Sequence, residues 1–182
     1  MAATITVLGI GNILLQDEGF GVRIIEKLHR RYQFSDAVQV LDGGTLGMDL
    51  LRFITGTTKL LVVDAISGGR PPGTFYRFAG NEVKAYFRDK VSLHELGIKD
   101  VLAVLEVLGE PIAEVVVIGV EAATAVFEPG LELTPIVAGM VDKTVTAVIA
   151  QLKEWQVELV ERDSCYSPMS NVMGVADETD TD

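Results

Sequence analysis

The stretch KLLVVDA, residues 59–65, is the strongest strand signal in the chain, because four large apolar residues follow one another without polar alternation. Such a run is typical of a strand that helices cover on both faces of a parallel sheet. Residues 4–10, TITVLGI, and residues 114–120, EVVVIGV, have the same character. The sequence therefore predicts a mostly parallel sheet around residues 59–65.

The segments around this strand alternate between helical and extended patterns. Residues 19–31 carry apolar side chains at helical spacing, residues 37–41 form a short strand-like run, and residues 46–54 return to helical spacing. Residues 74–78, TFYRF, alternate after a Gly/Pro-rich loop, which predicts an antiparallel edge strand. We expect an α/β fold, a three-layer sandwich with a mostly parallel twisted sheet of about five strands and helices on both faces.

The second half of the chain carries weaker signals. Residues 80–99 are charged and hardly periodic, which predicts a loop with a broken helix, and residues 100–108 are helical with Asp100 as the N-cap. Thr134 followed by Pro135 is a cap with proline at the first helical position. The pair predicts the start of a long amphipathic helix that ends near Trp155.

Composition excludes several classes of function. The 182 residues include 15 Lys plus Arg against 26 Asp plus Glu, a formal net charge of −11. Nucleic-acid-binding proteins need a concentration of Lys and Arg to neutralise phosphates. Because this chain is acidic, we expect no nucleic acid partner. The single cysteine, Cys165, permits no internal disulfide. We expect a cytoplasmic protein without a signal peptide or membrane insertion, with one domain over residues 1–160 and an acidic, disordered tail over residues 161–182.

Acidic side chains follow three of the predicted strands. Glu18 comes after the first strand, and Asp42 and Asp64 close the next two. Because the carboxyl ends of parallel strands share one edge of a sheet, we expect these acids to converge there. His94, one of only two histidines, precedes the 100–108 helix. Glu18, Asp64 and His94 then form a mixed oxygen and nitrogen set that suits a divalent metal with open coordination positions.

Each of these residues taken singly also has a structural interpretation. A carboxylate near a helix start, such as Glu18, is stabilised by the helix dipole. Aspartates in tight turns, such as Asp42 and Asp64, accept hydrogen bonds from backbone N–H groups. The other histidine, His29, lies late in the first predicted helix, where a partly charged imidazole suits the C-terminal end. We interpret His29 as structural.

Rival catalytic patterns fit less well. Gly9 and Gly11 follow a strand, as in a dinucleotide-binding turn, but position 14 is Leu14 and Asp42 lies well beyond the ~20 residues at which a ribose-binding acid is expected. We interpret the glycines as a tight turn that makes room near Glu18. The sequence contains no HExxH, GxSxG or GxxxxGK[ST] motif. Ser67 and Ser92 are available as nucleophiles, but each is more simply a turn or capping residue. Metal-centred chemistry is the least strained option.

Five segments in order carry a more specific signal. They are LGIGNILLQDEGFGVRI (8–24), DGGTLGMDLL (42–51), LLVVDAISGGRPPGTFY (60–76), SLHELGIKDVL (92–102) and VIGVEAATAVFEPGLELTPIV (117–137). Together they resemble the hydrogenase maturation endopeptidases, and the resemblance runs over nearly all of residues 4–155.

The resemblance implies a protease that removes a C-terminal extension from a [NiFe] hydrogenase large-subunit precursor after nickel insertion. By motif, Glu18, Asp64 and His94 correspond to the metal-binding residues of that family, and Asp42 to another acid of its site, with a role in catalysis or substrate positioning. The implied metal is nickel supplied by the precursor, for which another divalent metal can substitute. The alternative is a noncatalytic metal-binding chaperone of the hydrogenase precursor.

Overall fold

A five-stranded sheet forms the centre of the computed structural model, which describes residues 4–89, 95–123 and 128–162. Its strands are β1 (Ile5–Ile10), β3 (Val38–Gly44), β4 (Lys59–Ile66), β5 (Phe75–Ala79) and β6 (Glu114–Glu121). They lie in the order β3-β1-β4-β6-β5, and all are parallel except β5, which pairs antiparallel with β6 at one edge. The predicted fold class is confirmed.

Among the residues that the structure describes, six helices cover the two faces. They are α1 (Phe20–Arg31), α2 (Leu51–Ile54), α3 (Asn81–Asp89), α4 (Glu95–Val107), α5 (Pro135–Ala138) and α6 (Val141–Glu154). Buried side chains of α1, α5 and α6 pack on one face, and those of α2, α3 and α4 pack on the other. Single 3₁₀ turns, Gln16–Gly19 and Gly47–Leu50, precede α1 and α2.

A second, two-stranded sheet was not predicted. It consists of β2 (Tyr32–Phe34) and β7 (Leu159–Glu161), paired antiparallel. Three-residue strands carry too few apolar positions for a recognisable period. The sequence assigns Glu161 to the tail, but it is the last residue of β7. Arg162 is described as well, and the rest of the predicted tail, residues 163–182, lies outside the described residues.

The sequence prediction for residues 80–108 is wrong in two respects. Residues 81–89 form a regular helix, and α4 begins at Glu95, so Asp100 lies exposed inside that helix and is not its N-cap. Ile98 and Val101 are buried against the sheet. Packing of this apolar face stabilises helix on both sides of Asp100, which propensity and capping alone do not predict.

The long helix predicted from Pro135 to near Trp155 also differs in the structure. It begins at Pro135 as expected, but Thr134 makes no side-chain cap hydrogen bond, because its hydroxyl instead donates to Asp17 Oδ2 at 2.9 Å. A turn at Gly139 and Met140 separates α5 from α6.

Residues 135–154 are apolar and long enough, by length and composition alone, to cross a membrane. The sequence analysis expects no run of that length, so this is a difference from the prediction. Val145, Val148 and Leu152 of α6 are buried in the core that α6 shares with α1 and the sheet. This packing accounts for the apolar character of the segment.

Candidate active site

The topology places a switch point between the carboxyl ends of β1 and β4, the place where open α/β sheets form a crevice. These neighbours lead to opposite faces of the sheet, because β1 continues into α1 on one face, whereas the chain after β4 passes through β5 into α3 on the other. Ligands of open α/β sheets bind outside such a switch point. Glu18 follows β1, and Asp64 lies near the end of β4.

Close backbone packing holds Glu18 at this crevice. Its 3₁₀ turn lies against β4, and Glu18 is only 6% exposed. Gly11 has φ +129°, and a Cβ at that position would lie 1.8 Å from the Glu18 carbonyl oxygen. Only glycine permits both the backbone angle and this approach. The tight turn that the sequence predicts near Glu18 is therefore confirmed.

Asp64 lies near the carboxyl end of β4, beside the same switch point. It is 7% exposed and lies opposite Gly119 in the β4–β6 register. The Tyr86 hydroxyl of α3 donates a long hydrogen bond of 3.4 Å to Asp64 Oδ2. Tyr86 in turn stacks on Phe78 of β5, with ring centroids 4.9 Å apart. The aromatic rings of Tyr86 and Phe78 therefore lie beside the Asp64 carboxylate on the α3 face of the sheet.

The structure places Asp42 differently from Asp64. Asp42 lies within β3, not after it, is exposed, and accepts a 2.9 Å hydrogen bond from the Gly44 N–H through Oδ1. Strand alternation puts Asp42 on the α1 face and Asp64 on the α3 face. Because β1 lies between β3 and β4, two strand spacings, about 10 Å, separate the two aspartates.

His94 lies outside the described residues. Helix α4 begins directly after it, and Gly97 of that helix packs on Gly47 in the connection after β3, where a Cβ on Gly97 would lie 2.4 Å from the Gly47 Cα. Within residues 4–89, 95–123 and 128–162, no three His, Cys, Asp or Glu side chains lie close enough together to hold a metal ion. Glu18 and Asp64 offer hard carboxylate oxygens, which are common ligands of divalent metal ions.

Asp17, next to Glu18, has a structural role. It is buried and accepts hydrogen bonds from the Ala123 N–H at 2.9 Å, the Thr134 N–H at 2.7 Å and the Thr134 hydroxyl. Hydrogen bonds to a charged acceptor are the stronger kind. Asp17 thereby ties the turn that carries Glu18 to the connection after β6.

Glu121, at the end of β6, was not singled out from the sequence. It is buried, accepts 2.9 Å hydrogen bonds from the Gly68 and Gly69 N–H groups, and accepts the Tyr76 hydroxyl. Burial, and then this hydrogen bond, raise the pKa of Tyr76 to about 12. Glu121 therefore fixes the loop that follows β4. The signal was present, since an acid ends an apolar strand in VVVIGVE as Asp64 does in LLVVDA.

Comparison with known proteins decides the family. A family model described as hydrogenase maturation protease, HycI, matches residues 22–151. The chain is also 42% identical to the hydrogenase 2 maturation protease of Escherichia coli K12 over 163 residues. This matched region covers 89% of this chain and 98% of that protein. The chain belongs to the hydrogenase maturation protease family. The resemblance drawn from the five sequence segments is confirmed.

Two further likenesses agree with the family. The solved structure of the hydrogenase maturating endopeptidase HybD from Escherichia coli superimposes with a TM-score of 0.81 at 43% identity, covering 87% of this chain and 97% of that one. The hydrogenase expression/formation protein HupD of Rhizobium leguminosarum bv. viciae is 38% identical over 162 residues, 88% of this chain and 80% of HupD. These likenesses support an endoprotease role in hydrogenase maturation for this family member.

Proposed function

We propose that this chain is an endopeptidase that removes the C-terminal extension of a [NiFe] hydrogenase large-subunit precursor after nickel insertion and recognises the nickel that the precursor holds. The observation that supports this most is that Glu18, whose turn packs against β4, and Asp64, near the carboxyl end of β4, are both buried in a maturation protease fold. Charged groups in a poorly hydrated site favour a cation nearby.

In this proposal, His94 supplies the third ligand. One imidazole and two carboxylates leave coordination positions open, so the set can dock onto a nickel ion that the precursor already binds. A bound divalent ion polarises a carbonyl oxygen and lowers the pKa of its water, and both effects assist peptide hydrolysis. Asp42, exposed at the same sheet edge, is the proposed proton acceptor.

The experiment compares nickel-loaded with nickel-free precursor, both purified and incubated with the enzyme, by mass spectrometry of the precursor. We expect loss of a C-terminal peptide from the nickel-loaded form and much slower loss from the nickel-free form. Equal rates would contradict nickel recognition. A stable complex at unchanged precursor mass would favour the chaperone alternative.

A variant arm of the same experiment tests the assignment of His94. His94→Ala is expected to keep the far-ultraviolet circular dichroism of the wild type and to abolish processing. His29→Ala is the matched control, because His29 is exposed in the last turn of α1 and should leave the rate unchanged. Full activity of His94→Ala would place the site elsewhere.

A further inference from the structure

Exposed apolar side chains concentrate at the sheet edge that carries Glu18 and Asp64. Six large hydrophobic residues with substantial exposure belong to three connections at the carboxyl ends of strands. They form what we call the apolar rim: Ile13, Leu14, Leu46, Met48, Leu131 and Ile136. Scattered surface hydrophobics are normal, but a group of them around one crevice marks an interaction site.

Backbone hydrogen bonds join the connections that carry the rim. The Gln16 N–H donates to the Gly130 carbonyl at 2.8 Å, and the Gly130 N–H donates to the Leu14 carbonyl at 2.9 Å. Arg23 Nη2 donates to the Leu131 carbonyl at 2.9 Å. Leu14 and Leu131 are therefore held beside each other, each with 59% of its surface exposed.

Two further contacts extend this arrangement. The Gly11 N–H donates to the Gly44 carbonyl at 3.0 Å and links the connection after β1 to the one that carries Leu46 and Met48. On the other side, a Cβ on Gly73 would lie 2.8 Å from Ile136 Cγ2, so the loop after β4 packs against Ile136. The rim is thus presented on a preorganised frame, which lowers the entropic cost of binding.

We propose that the apolar rim docks an apolar polypeptide segment of the precursor beside the bond to be cut. This inference rests on the proposed function, because it takes the substrate to be a polypeptide. Ile13, Leu14 and Glu18 share the connection after β1, and β1 and β6, whose connections carry rim residues, flank β4 with Asp64, so a chain segment seated on the rim lies at the end of the sheet that carries both carboxylates. A second copy of this chain on the rim would instead cover that end of the sheet. Burial of apolar surface supplies affinity without charge complementarity, which suits a protein of net charge −11.

The test measures KM and kcat for a nickel-loaded large-subunit precursor with Leu14→Asp and Leu131→Asp. Because burying a leucine contributes enough free energy to change affinity substantially, we expect each variant to raise KM about tenfold and to leave kcat within about twofold. Leu108→Asp is the matched control. Leu108 is 61% exposed, follows α4 and precedes the amino end of β6, so it lies at the opposite edge of the sheet.

The outcomes separate the two proposals. Wild-type KM in both rim variants, or an equal rise in Leu108→Asp, would overturn the docking role while leaving the protease function intact. If the wild type cleaves no precursor, the proposed function fails, and equilibrium binding of the precursor to the same three variants still decides the role of the rim. A wild-type dimer in sedimentation that Leu14→Asp dissociates would assign the rim to self-association and overturn the proposal.

Discussion

Asp17 and Glu18 are adjacent acids in one 3₁₀ turn, yet they have different environments. Asp17 accepts three hydrogen bonds from Ala123 and Thr134, and these bonds tie two connections of the fold together. Glu18 lies in the crevice beside β4. A turn directs successive side chains apart, so the sequence pattern DEG does not by itself separate the structural acid from the site acid.

This difference predicts that one conservative substitution lowers stability and another abolishes processing. Asp17→Asn removes the charge that accepts the three donors and should lower the free energy of unfolding by about 2 to 3 kcal/mol. Glu18→Gln should change it by less than about 1 kcal/mol but abolish precursor processing. Urea denaturation and the processing assay measure the two effects. Equal stability of the two variants would contradict the assignment.

Tyr76 makes stability depend on alkaline pH. Its pKa is raised from 10.0 to about 12, whereas a tyrosine in the unfolded chain ionises near its ordinary value. Between these values the unfolded state loses a proton that the folded state retains, so the contribution of Tyr76 is complete below pH 10 and is lost as pH rises towards 12.

Tyr76→Phe keeps the aromatic ring and removes the ionisable hydroxyl group. The melting temperature of the variant should therefore lie below that of the wild type at neutral pH, because the hydrogen bond to Glu121 is lost. The gap should narrow as pH rises from 10 to 12. Circular dichroism melts across this range measure it, and a constant gap would show that Tyr76 ionisation is not linked to folding.

At the scale of elements, the connection between β1 and α1 depends on Gly11, where the packed backbone leaves no room for a side chain. A Cβ on Gly11 would lie 1.8 Å from the Glu18 carbonyl oxygen, whereas Gly47, with φ +55°, has no atom within 4 Å of such a Cβ. Gly47→Ala should therefore cost only the strain of the backbone angle, about 1 kcal/mol.

Gly11→Ala has to move the turn that carries Glu18 as well. We expect a loss of about 3 kcal/mol or more in the free energy of unfolding, and reduced processing in whatever fraction remains folded. Chemical denaturation of both variants provides the comparison. If Gly11→Ala were as stable as Gly47→Ala, close packing of the turn against Glu18 would not hold.

The elements that the sequence predicts well are those whose signal is local. The apolar runs of β1, β4 and β6 and the periodicity of α1 match the predicted bounds nearly to their ends. The start of α4 does not, because packing on the sheet decides it, and β2 and β7 were missed because three residues show no period. The sequence shows long-range packing only indirectly.

The same distinction applies to the candidate site. The rule that strand ends share an edge predicts that Glu18 and Asp64 converge, and the turn that carries Glu18 packs against β4. The rule does not distinguish the two faces of the sheet, which separate Asp42 from Asp64. Glu121 was missed although it ends a strand in the same way. Its role depends on Gly68, Gly69 and Tyr76, which only the fold brings to it.

At the scale of the whole molecule, contacts of residues 155–162 with earlier elements of the fold belong to the folded domain. Trp155 Nε1 donates to Glu114 Oε1 at 2.8 Å, β7 pairs with β2, and the Arg162 N–H donates to the Arg31 carbonyl at 2.7 Å. Val157 and Leu159 pack against the core shared by α1 and α6. The folded unit therefore includes β7 and reaches past the predicted boundary at residue 160.

Two shortened chains test where the folded unit ends. A chain that stops after Arg162 retains every contact just described, so its melting temperature should match that of the full chain within about 2 °C and its processing rate should be unchanged. A chain that stops after Gln156 loses β7 together with the apolar contacts of Val157 and Leu159. Its free energy of unfolding should fall by about 3 kcal/mol. Thermal melts and the processing assay compare them with the full chain, and a loss of stability or activity in the longer of the two shortened chains would make residues 163–182 part of the functional unit.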